Sequence, residues 1–204
     1  MVSLSDGVVR LRPPDLDDVP AIHAACQDPE ILRWTTLPSP YLVEHATGFV
    51  IEYCAPGWAS WAEHGARQGT VLVWAILAGD RLAGVIDLRL QPVGSAAVGY
   101  WLAPHARGRG VLHRALLLAL AWGFDDPDGP GLDRVEWQAL AGNWPSWRVA
   151  WRAGFRFEAV VRGGLVDRDV RTDSWTATIT KDDRREPGAA WPATTVPAPV
   201  PPER

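Results

Sequence analysis

The apolar positions of this chain switch repeatedly between a spacing of two, typical of strands, and a spacing of three to four, typical of helices. Strand patterns occur at Val8–Arg12, Thr70–Leu77, Leu82–Leu90, Ala96–Leu102, Arg134–Leu140, Phe155–Arg162 and Asp173–Thr180. Helical patterns occur at Asp15–Cys26, Leu42–Tyr53, Val111–Phe124 and Ser146–Ala153. This order predicts an α/β (α+β) fold, with helices on both faces of one mixed sheet.

The connections between these elements predict the strand directions. The turn Ala78-Gly79-Asp80 joins its two flanking strands into a hairpin. The helix Val111–Phe124 links the strands Ala96–Leu102 and Arg134–Leu140, and a helical crossover places such strands parallel. The sheet is therefore expected to be mostly antiparallel, with one parallel pair.

Composition suggests where this domain lies. With 47% hydrophobic and 22% charged residues, the chain can bury one sizeable core. We expect one domain over residues 8–182, after an N-terminal lead over residues 1–7. Residues 183–204 are rich in Pro and Ala and are expected to form a flexible tail.

Charge and cysteine content argue against several classes of protein. A net charge of −4 opposes binding to nucleic acid or to an anionic membrane. The longest apolar run, Ala115–Trp122, is much shorter than the roughly 20 residues of a membrane span. Two cysteines and five histidines without ligand spacing predict neither a disulfide framework nor a metal site. We therefore expect a cytoplasmic protein.

The strongest chemical signal is the run Arg107-Gly108-Arg109-Gly110, which lies between a strand and the helix Val111–Phe124. Glycines let the backbone approach a ligand, and the free N–H groups of a helix N-terminus attract anions. The run thus indicates a phosphate site, and the alternative is a tight turn with solvated arginines. His113 stands where a dinucleotide-binding fingerprint needs its third glycine.

A second signal follows the next parallel strand. In the run Asn143-Trp144-Pro145-Ser146, either Asn143 or Ser146 can cap a helix that stops at Gly154. Capping alone would explain these residues. However, both loops follow the C-terminal ends of adjacent parallel strands, where open α/β sheets bind ligands.

Together these blocks resemble the GCN5-related N-acetyltransferases (GNATs), and most closely their RimJ/RimL-type branch. The resemblance covers about residues 8–182. The segments that carry it are Leu11-Arg12-Pro13, Gly99–Pro104, Arg107–Gly110, Asn143–Ser146 and Gly154-Phe155. It implies an acetyl-CoA-dependent N-acetyltransferase whose central sheet is splayed between the two parallel strands.

The resemblance also assigns residues to the donor, acetyl-CoA. Its pantetheine arm would bind backbone groups of Trp101, Leu102 and Ala103. Its pyrophosphate would bind the amides of the loop residues Arg107, Gly108, Arg109, Gly110, Val111 and Leu112. Asn143 would contact the pantetheine near the thioester. Ser146 would protonate, or hydrogen-bond, the departing thiolate.

Three positions depart from the family pattern. Ala150 stands where many members have a tyrosine acid, and Ala97 where many have a glutamate. Leu112 replaces a small loop residue, so it either crowds the phosphates or turns into the core. Because an attacking amine must lose a proton, a base is needed. Asp87 is the tentative base; the alternatives are that a water molecule serves, or that Asp87 is only a solvent-facing strand carboxylate.

The acceptor is the least specified part. Trp34 and Tyr41 are expected to line its site, and a peptide N-terminus, an amino sugar and a small amine all remain open. We expect direct transfer in a ternary complex, and the chain could form a homodimer. A non-catalytic acyl-CoA-binding module is the main alternative. An RNA-binding role for the Arg-Gly run is opposed by the acidic net charge.

Overall fold

Eight strands form one mixed sheet in the computed structural model, which describes residues 2–188. They are β1 (Leu4–Ser5), β2 (Val9–Arg12), β3 (Val71–Ala78), β4 (Arg81–Gln91), β5 (Ser95–Leu102), β6 (Arg134–Leu140), β7 (Arg156–Asp167) and β8 (Val170–Thr180). Their spatial order is β1-β2-β3-β4-β5-β6-β8-β7. Among the described residues only β5 and β6 pair in parallel, which confirms the predicted fold class. Most of the expected tail lies outside the described residues.

Six α-helices accompany this sheet in the described part of the chain. They are α1 (Val19–Ala25), α2 (Pro29–Trp34), α3 (Val43–Gly48), α4 (Ala55–His64), α5 (Val111–Phe124) and α6 (Trp144–Arg152). Short 3₁₀ turns cover Leu16–Asp18 and Pro104–Ala106. None of the described helices is both long and apolar enough to span a membrane.

The helices near the N-terminus differ from the sequence prediction. The predicted helix Leu42–Tyr53 continues to His64, because a π-helical turn over Phe49–Cys54 joins α3 to α4. At the end of that turn the Ala55 N–H donates to the carbonyl of Val50, five residues earlier, as in a π-helix. The next residue, Pro56, has no N–H to donate. Helix α2 was missed because it is only six residues long.

The parallel strands diverge partway along their length. Pairing between β5 and β6 runs from Ser95 opposite Arg134 to Val98 opposite Trp137 and then stops. Beyond that point β5 still pairs with β4, and β6 still pairs with β8. The two strands therefore leave a V-shaped opening at their C-terminal ends.

Large aromatic side chains fill much of the core. Trp58 donates its indole N–H to the carbonyl of Val73 over 2.7 Å and packs edge-on against Trp74. Trp122 lies against both of these rings. Trp58 is thus part of the core.

Candidate active site

The V-shaped opening between β5 and β6 leads into a cleft of about 660 Å³. Helix α2, strand β5, the N-terminal turn of α5 and helix α6 contribute its walls. The predicted site residues that line it are Trp34, Trp101, Leu102, Arg107, Gly108, Gly110, Val111, Leu112, Asn143 and Ser146. The structure thus brings together both loops that the sequence singled out.

The first turn of α5 forms one end of this cleft. Gly110 is its N-cap with a φ of 74°, and no side chain caps the helix. The first bond within the helix runs from the Arg114 N–H to the Gly110 carbonyl. The preceding N–H groups, from Val111 to His113, have no partner within the helix, and their residues line the cleft. Together with the helix dipole, these groups favour a bound anion.

The two arginine side chains of this loop have different surroundings. Arg107 lines the cleft, but its guanidinium pairs with Asp28 over 2.5 Å and its Nε donates to the Leu102 carbonyl. Burial raises the pKa of Asp28, but hydrogen bonds from Arg107 and from the Ile31 N–H outweigh it and lower the pKa overall. Arg109 instead borders a second hollow of about 650 Å³, beside Asp6.

Sequence reasoning missed two further arginines of the cleft, Arg148 and Arg152 on α6. Their spacing of four residues places them on the same face of a helix, and this was the available signal. Both follow the Asn143–Ser146 run. They therefore add positive charge to the α6 side of the cleft.

The backbone of β5 shows which groups face the opening. The Ala103 N–H donates to the Ala83 carbonyl over 2.8 Å, and the Ala103 carbonyl accepts from the Ala106 N–H. Because antiparallel pairing alternates, Trp101 also directs its backbone groups to β4, whereas Tyr100 and Leu102 direct theirs toward the diverged β6. The predictions for Trp101 and Ala103 are corrected, since their backbone groups are bonded within the fold. The Leu102 carbonyl accepts from Nε of Arg107, so the Leu102 N–H and the backbone groups of Tyr100 are the better candidates.

Ser146 occupies the first turn of α6 with each of its polar groups engaged. Its N–H donates to Oδ1 of Asn143 over 3.2 Å, so Asn143 is the N-cap. Its carbonyl accepts from the Tyr100 hydroxyl over 3.0 Å. Its Oγ accepts from the indole N–H of Trp137, also over 3.0 Å. The hydroxyl proton of Ser146 can thus be donated to the Tyr100 hydroxyl oxygen or to a group in the cleft.

Asp87 lies beside the point where β5 and β6 separate. It faces Gly99 across β4 and β5, and Gly99 directly follows the last residue paired with β6. Its carboxylate pairs with Arg89 over 2.5 Å. Burial raises the pKa of Asp87, although the charge of Arg89 opposes this shift.

Asp87 and Ser146 lie toward opposite faces of the sheet. Neighbouring residues of a strand point to opposite faces, so the Gly99 and Asp87 positions share one face while Tyr100 reaches Ser146 on the other. The Asp87 face is covered by the N-terminal helical segments, where Val85 and Trp101 pack with Phe49. The apex of the opening is thus flanked by a carboxylate and a hydroxyl.

The two predicted acceptor residues have different environments. Trp34 lines the cleft and donates its indole N–H to Glu30 over 3.0 Å. Tyr41 is only 4% exposed and packs between His23 and His45. The prediction for Tyr41 is corrected, because its ring belongs to the core under α1 and α3.

The structure shows the surroundings of the three residues that depart from the family pattern. Leu112 packs partly against the core while still lining the cleft, so both of its expected orientations apply in part. Ala150 is fully buried, which leaves no room for a tyrosine acid there. Ala97 faces Arg89 in the β4–β5 register, two positions from Gly99 on the same face.

Metal and thiol chemistry have no support in the described part of the chain. Residues 2–188 contain no cluster of three or more potential metal ligands among His, Cys, Asp and Glu. Cys26 and Cys54 are buried free thiols, and burial raises the pKa of each to about 12. Neither thiol is thus suited to act as a nucleophile.

Comparisons with known proteins agree with this geometry. A family model described as "Acetyltransferase (GNAT) domain" matches residues 9–156. The chain therefore belongs to the GNAT family and is an acetyl-CoA-dependent N-acetyltransferase. A comparison with curated proteins gives no match.

Solved structures share the fold at low sequence identity. RimL, a ribosomal L7/L12 α-N-protein acetyltransferase in complex with coenzyme A, has a TM-score of 0.72 and 19% identity, covering 88% of this chain and 98% of that one. RimJ of Mycobacterium smegmatis has a TM-score of 0.70 and 24% identity, with coverages of 88% and 86%. The microcin C7 self-immunity acetyltransferase MccE, in complex with acetyl-CoA and AMP, has a TM-score of 0.72 and 18% identity, with coverages of 86% and 93%.

Proposed function

We propose that this chain transfers the acetyl group of acetyl-CoA directly to a primary amine within a ternary complex, as a RimJ/RimL-like enzyme. One observation carries the proposal. At the apex of the β5–β6 opening, a partly buried carboxylate lies toward one face of the sheet and a serine hydroxyl toward the other. An amine entering from the Asp87 face and a thiolate leaving beside Ser146 can therefore be present together.

The residues of the cleft suit the donor. Acetyl-CoA carries an anionic pyrophosphate, which fits the uncapped α5 N-terminus after Gly110 and the arginines of α6. Its pantetheine arm offers amide groups, which fit the backbone of Tyr100 and Leu102 along the diverged edge of β5. When bound, acetyl-CoA supplies the acetyl thioester on which the remaining residues act.

Asp87 is the proposed base. An ammonium group has no lone pair, so the acceptor must lose a proton before a carbon–nitrogen bond can form. Burial raises the pKa of Asp87, which makes its carboxylate a stronger base than an exposed aspartate. The proton leaves the amine nitrogen for the Asp87 carboxylate, directly or through one water.

Ser146 is the proposed acid. As the carbon–sulfur bond breaks, negative charge develops on sulfur, and the Ser146 hydroxyl is placed to donate its proton there. Solvent then restores the proton to Ser146, and the proton on Asp87 returns to solvent. The net reaction converts an amine and acetyl-CoA into an N-acetyl amide and CoA.

The acceptor is proposed to be a small-molecule or peptide amine. The acceptor wall includes Trp34, Ile31 and Thr35 of the α2 region, which together offer an apolar and aromatic surface. A peptide N-terminus is the first acceptor to test. The structural neighbour RimL is described as an α-N-protein acetyltransferase, which supports that choice.

Steady-state kinetics of thiol release test the proposal. Acetyl-CoA and an amine are varied together with the purified full chain. Double-reciprocal lines that intersect are expected for a ternary complex, whereas parallel lines would show a covalent acetyl-enzyme instead. Ser146→Ala should lower kcat by about 10²–10⁴-fold with little change in the Kd of acetyl-CoA. An unchanged kcat would remove Ser146 from the mechanism.

A further inference from the structure

Three side chains from different elements hold Ser146, and they do not act alike. Tyr100 of β5 bonds its carbonyl and Asn143 bonds its N–H, so both fix the backbone of the first α6 turn. Trp137 of β6 donates its indole N–H to the hydroxyl oxygen. The Tyr100 hydroxyl is also hydrogen-bonded to the Ser146 side chain, but it donates its own proton to the Ser146 carbonyl. Among the three, Trp137 is thus the residue that donates a hydrogen bond to the Ser146 hydroxyl.

The chemistry of the indole makes this contact directional. A serine hydroxyl can donate one hydrogen bond and accept two, whereas the indole N–H can only donate. Ser146 Oγ must therefore be the acceptor toward Trp137. Its own proton is left for the Tyr100 hydroxyl oxygen or for a group in the cleft, which Ser146 lines.

The indole ring is held firmly in place. Trp137 is 1% exposed and its ring packs against Trp147 with centroids 5.5 Å apart. Trp137 is also the last β6 residue paired with β5, opposite Val98. The ring thus lies where the two strands begin to separate, and it has little freedom to turn away from Ser146.

We infer that Trp137 is a positioning residue that orients the Ser146 hydroxyl as a hydrogen-bond donor toward the departing sulfur. The inference rests on the proposed acid role of Ser146. The fold itself offers a comparison, because the buried indole N–H groups of Trp74, Trp122, Trp147 and Trp175 have no hydrogen-bond partner within the described residues. These four side chains show that this fold can bury an indole without a partner for its N–H. Burial of Trp137 therefore does not by itself require the bond to Ser146.

The test compares Trp137→Phe with Trp175→Phe in the full chain. Both variants lose the same ring volume from a buried site, but only Trp137 loses a hydrogen bond. Trp137→Phe is expected to lower kcat about tenfold with an unchanged KM for acetyl-CoA, a change of the size expected for one lost hydrogen bond. Trp175→Phe should change kcat by less than about twofold. Equal effects of the two variants would overturn the inference.

A double-mutant cycle separates positioning from structure. In the Ser146→Ala background there is no hydroxyl to orient, so Trp137→Phe should have no further effect on kcat. An equal loss in both backgrounds would overturn the inference while leaving the role of Ser146 intact. If Ser146→Ala alone has no effect, the proposed acid fails first, and the inference about Trp137 fails with it.

A second variant covers the case in which Trp137→Phe does not fold. Site-specific replacement of Trp137 by benzothienylalanine keeps the size and aromaticity of the ring but exchanges the N–H for sulfur. A kcat about tenfold below wild type is expected for this variant. A wild-type kcat would show that the N–H of Trp137 orients nothing.

Discussion

Asp87 and Gly99 face each other across β4 and β5, and the carboxylate of Asp87 fills the space that a side chain on Gly99 would need. A Cβ at Gly99 would lie 2.8 Å from Oδ2 of Asp87 and 2.6 Å from Nη1 of Arg89. Glycine at this position thus lets the Asp87–Arg89 pair lie over the strand beside the apex of the opening. The position of the proposed base, Asp87, therefore depends on the absence of a side chain at Gly99.

Gly99→Ala should therefore displace the base without unfolding the protein. The ends of Arg89 and Asp87 can move away from a new methyl group, so the melting temperature should change little. We expect kcat to fall about tenfold or more, because the carboxylate leaves its position. Thiol-release assays and thermal melts on the same preparation check this.

Gly84→Ala is the matched control for that variant. Its Cβ would lie 2.3 Å from the backbone carbonyl oxygen of Trp101, which cannot move as a side chain end can. This variant should lose about 1–3 kcal/mol of stability. If Gly99→Ala instead retains full kcat, the position of Asp87 does not matter to the reaction.

Asp87→Asn should change the pH profile as well as the rate. The base acts only when deprotonated, so wild-type kcat/KM should rise with pH through the pKa of Asp87, which burial raises above its usual range. Asn cannot take a proton, so this limb should disappear and kcat should fall about 10²–10⁴-fold. The ionisation of the acceptor amine remains in both profiles and serves as an internal reference. A wild-type profile in the variant would favour a water molecule or another group as the base.

Arg152→Gln should weaken acetyl-CoA binding. Arg152 is exposed and lines the cleft on α6. Loss of one exposed positive charge near bound phosphates should raise the Kd about 2–5-fold at low salt. Added salt should reduce the difference by screening. The control is Arg162→Gln, because Arg162 of β7 is also exposed but is not among the residues lining the cleft. Calorimetric titration showing the same loss of acetyl-CoA affinity for both variants would contradict the assignment.

Asp6 should stabilise the fold above its pKa and cease to do so in acid. Its carboxylate accepts the N–H groups of Val9 and Val8 and pairs with Arg114 over 2.8 Å. The bond from Val9 has the largest effect, and together these contacts lower the pKa from 3.8 to about 2. Because the unfolded chain then binds more protons, this stabilisation is complete above about pH 4 and is lost as the pH falls toward 2.

Asp6→Asn provides the measurement for that claim. The amide oxygen can still accept the backbone N–H groups, so the variant removes only the charge. Because solvent screens this exposed carboxylate, we expect the variant to be only about 1 kcal/mol less stable than wild type at pH 7, with the difference vanishing near pH 2. Urea unfolding at several pH values checks this, and a difference independent of pH would show that charge is not the cause.

Much of the fold could be predicted from periodicity. The crossover from Ala96–Leu102 through α5 to β6 predicted the parallel pair, because a helix of that length leaves a chain few alternatives. Short elements escaped prediction. Helix α2 spans six residues and depends on the Asp28 cap, and the helix through Pro56 is sustained by a π turn that no local pattern indicates.

The candidate site was predictable in its loops but not in its partners. Gly110 and Asn143 were found because a glycine before a helix and an asparagine at a cap have local meanings. The bonds from Tyr100 and Trp137 to Ser146 join residues 46 and 9 positions apart, and these contacts arise only when the strands and α6 assemble. Tyr41 was misplaced for the same reason, since an aromatic residue in sequence does not reveal whether it lines a cleft or fills a core.

The most direct test of the account is whether acetyl-CoA, once bound by the full chain, releases CoA only when an amine is added. Binding is first measured by thermal shift, with NAD as the control; acetyl-CoA at 100 times its Kd should add about 2.7 kcal/mol of stability. Thiol release is then followed with and without a peptide or small-molecule amine. We predict a shift with acetyl-CoA but not with NAD, and release that depends on the amine. A shift without release by any amine would instead identify a non-catalytic acyl-CoA-binding module, and the absence of any shift would contradict the donor site itself.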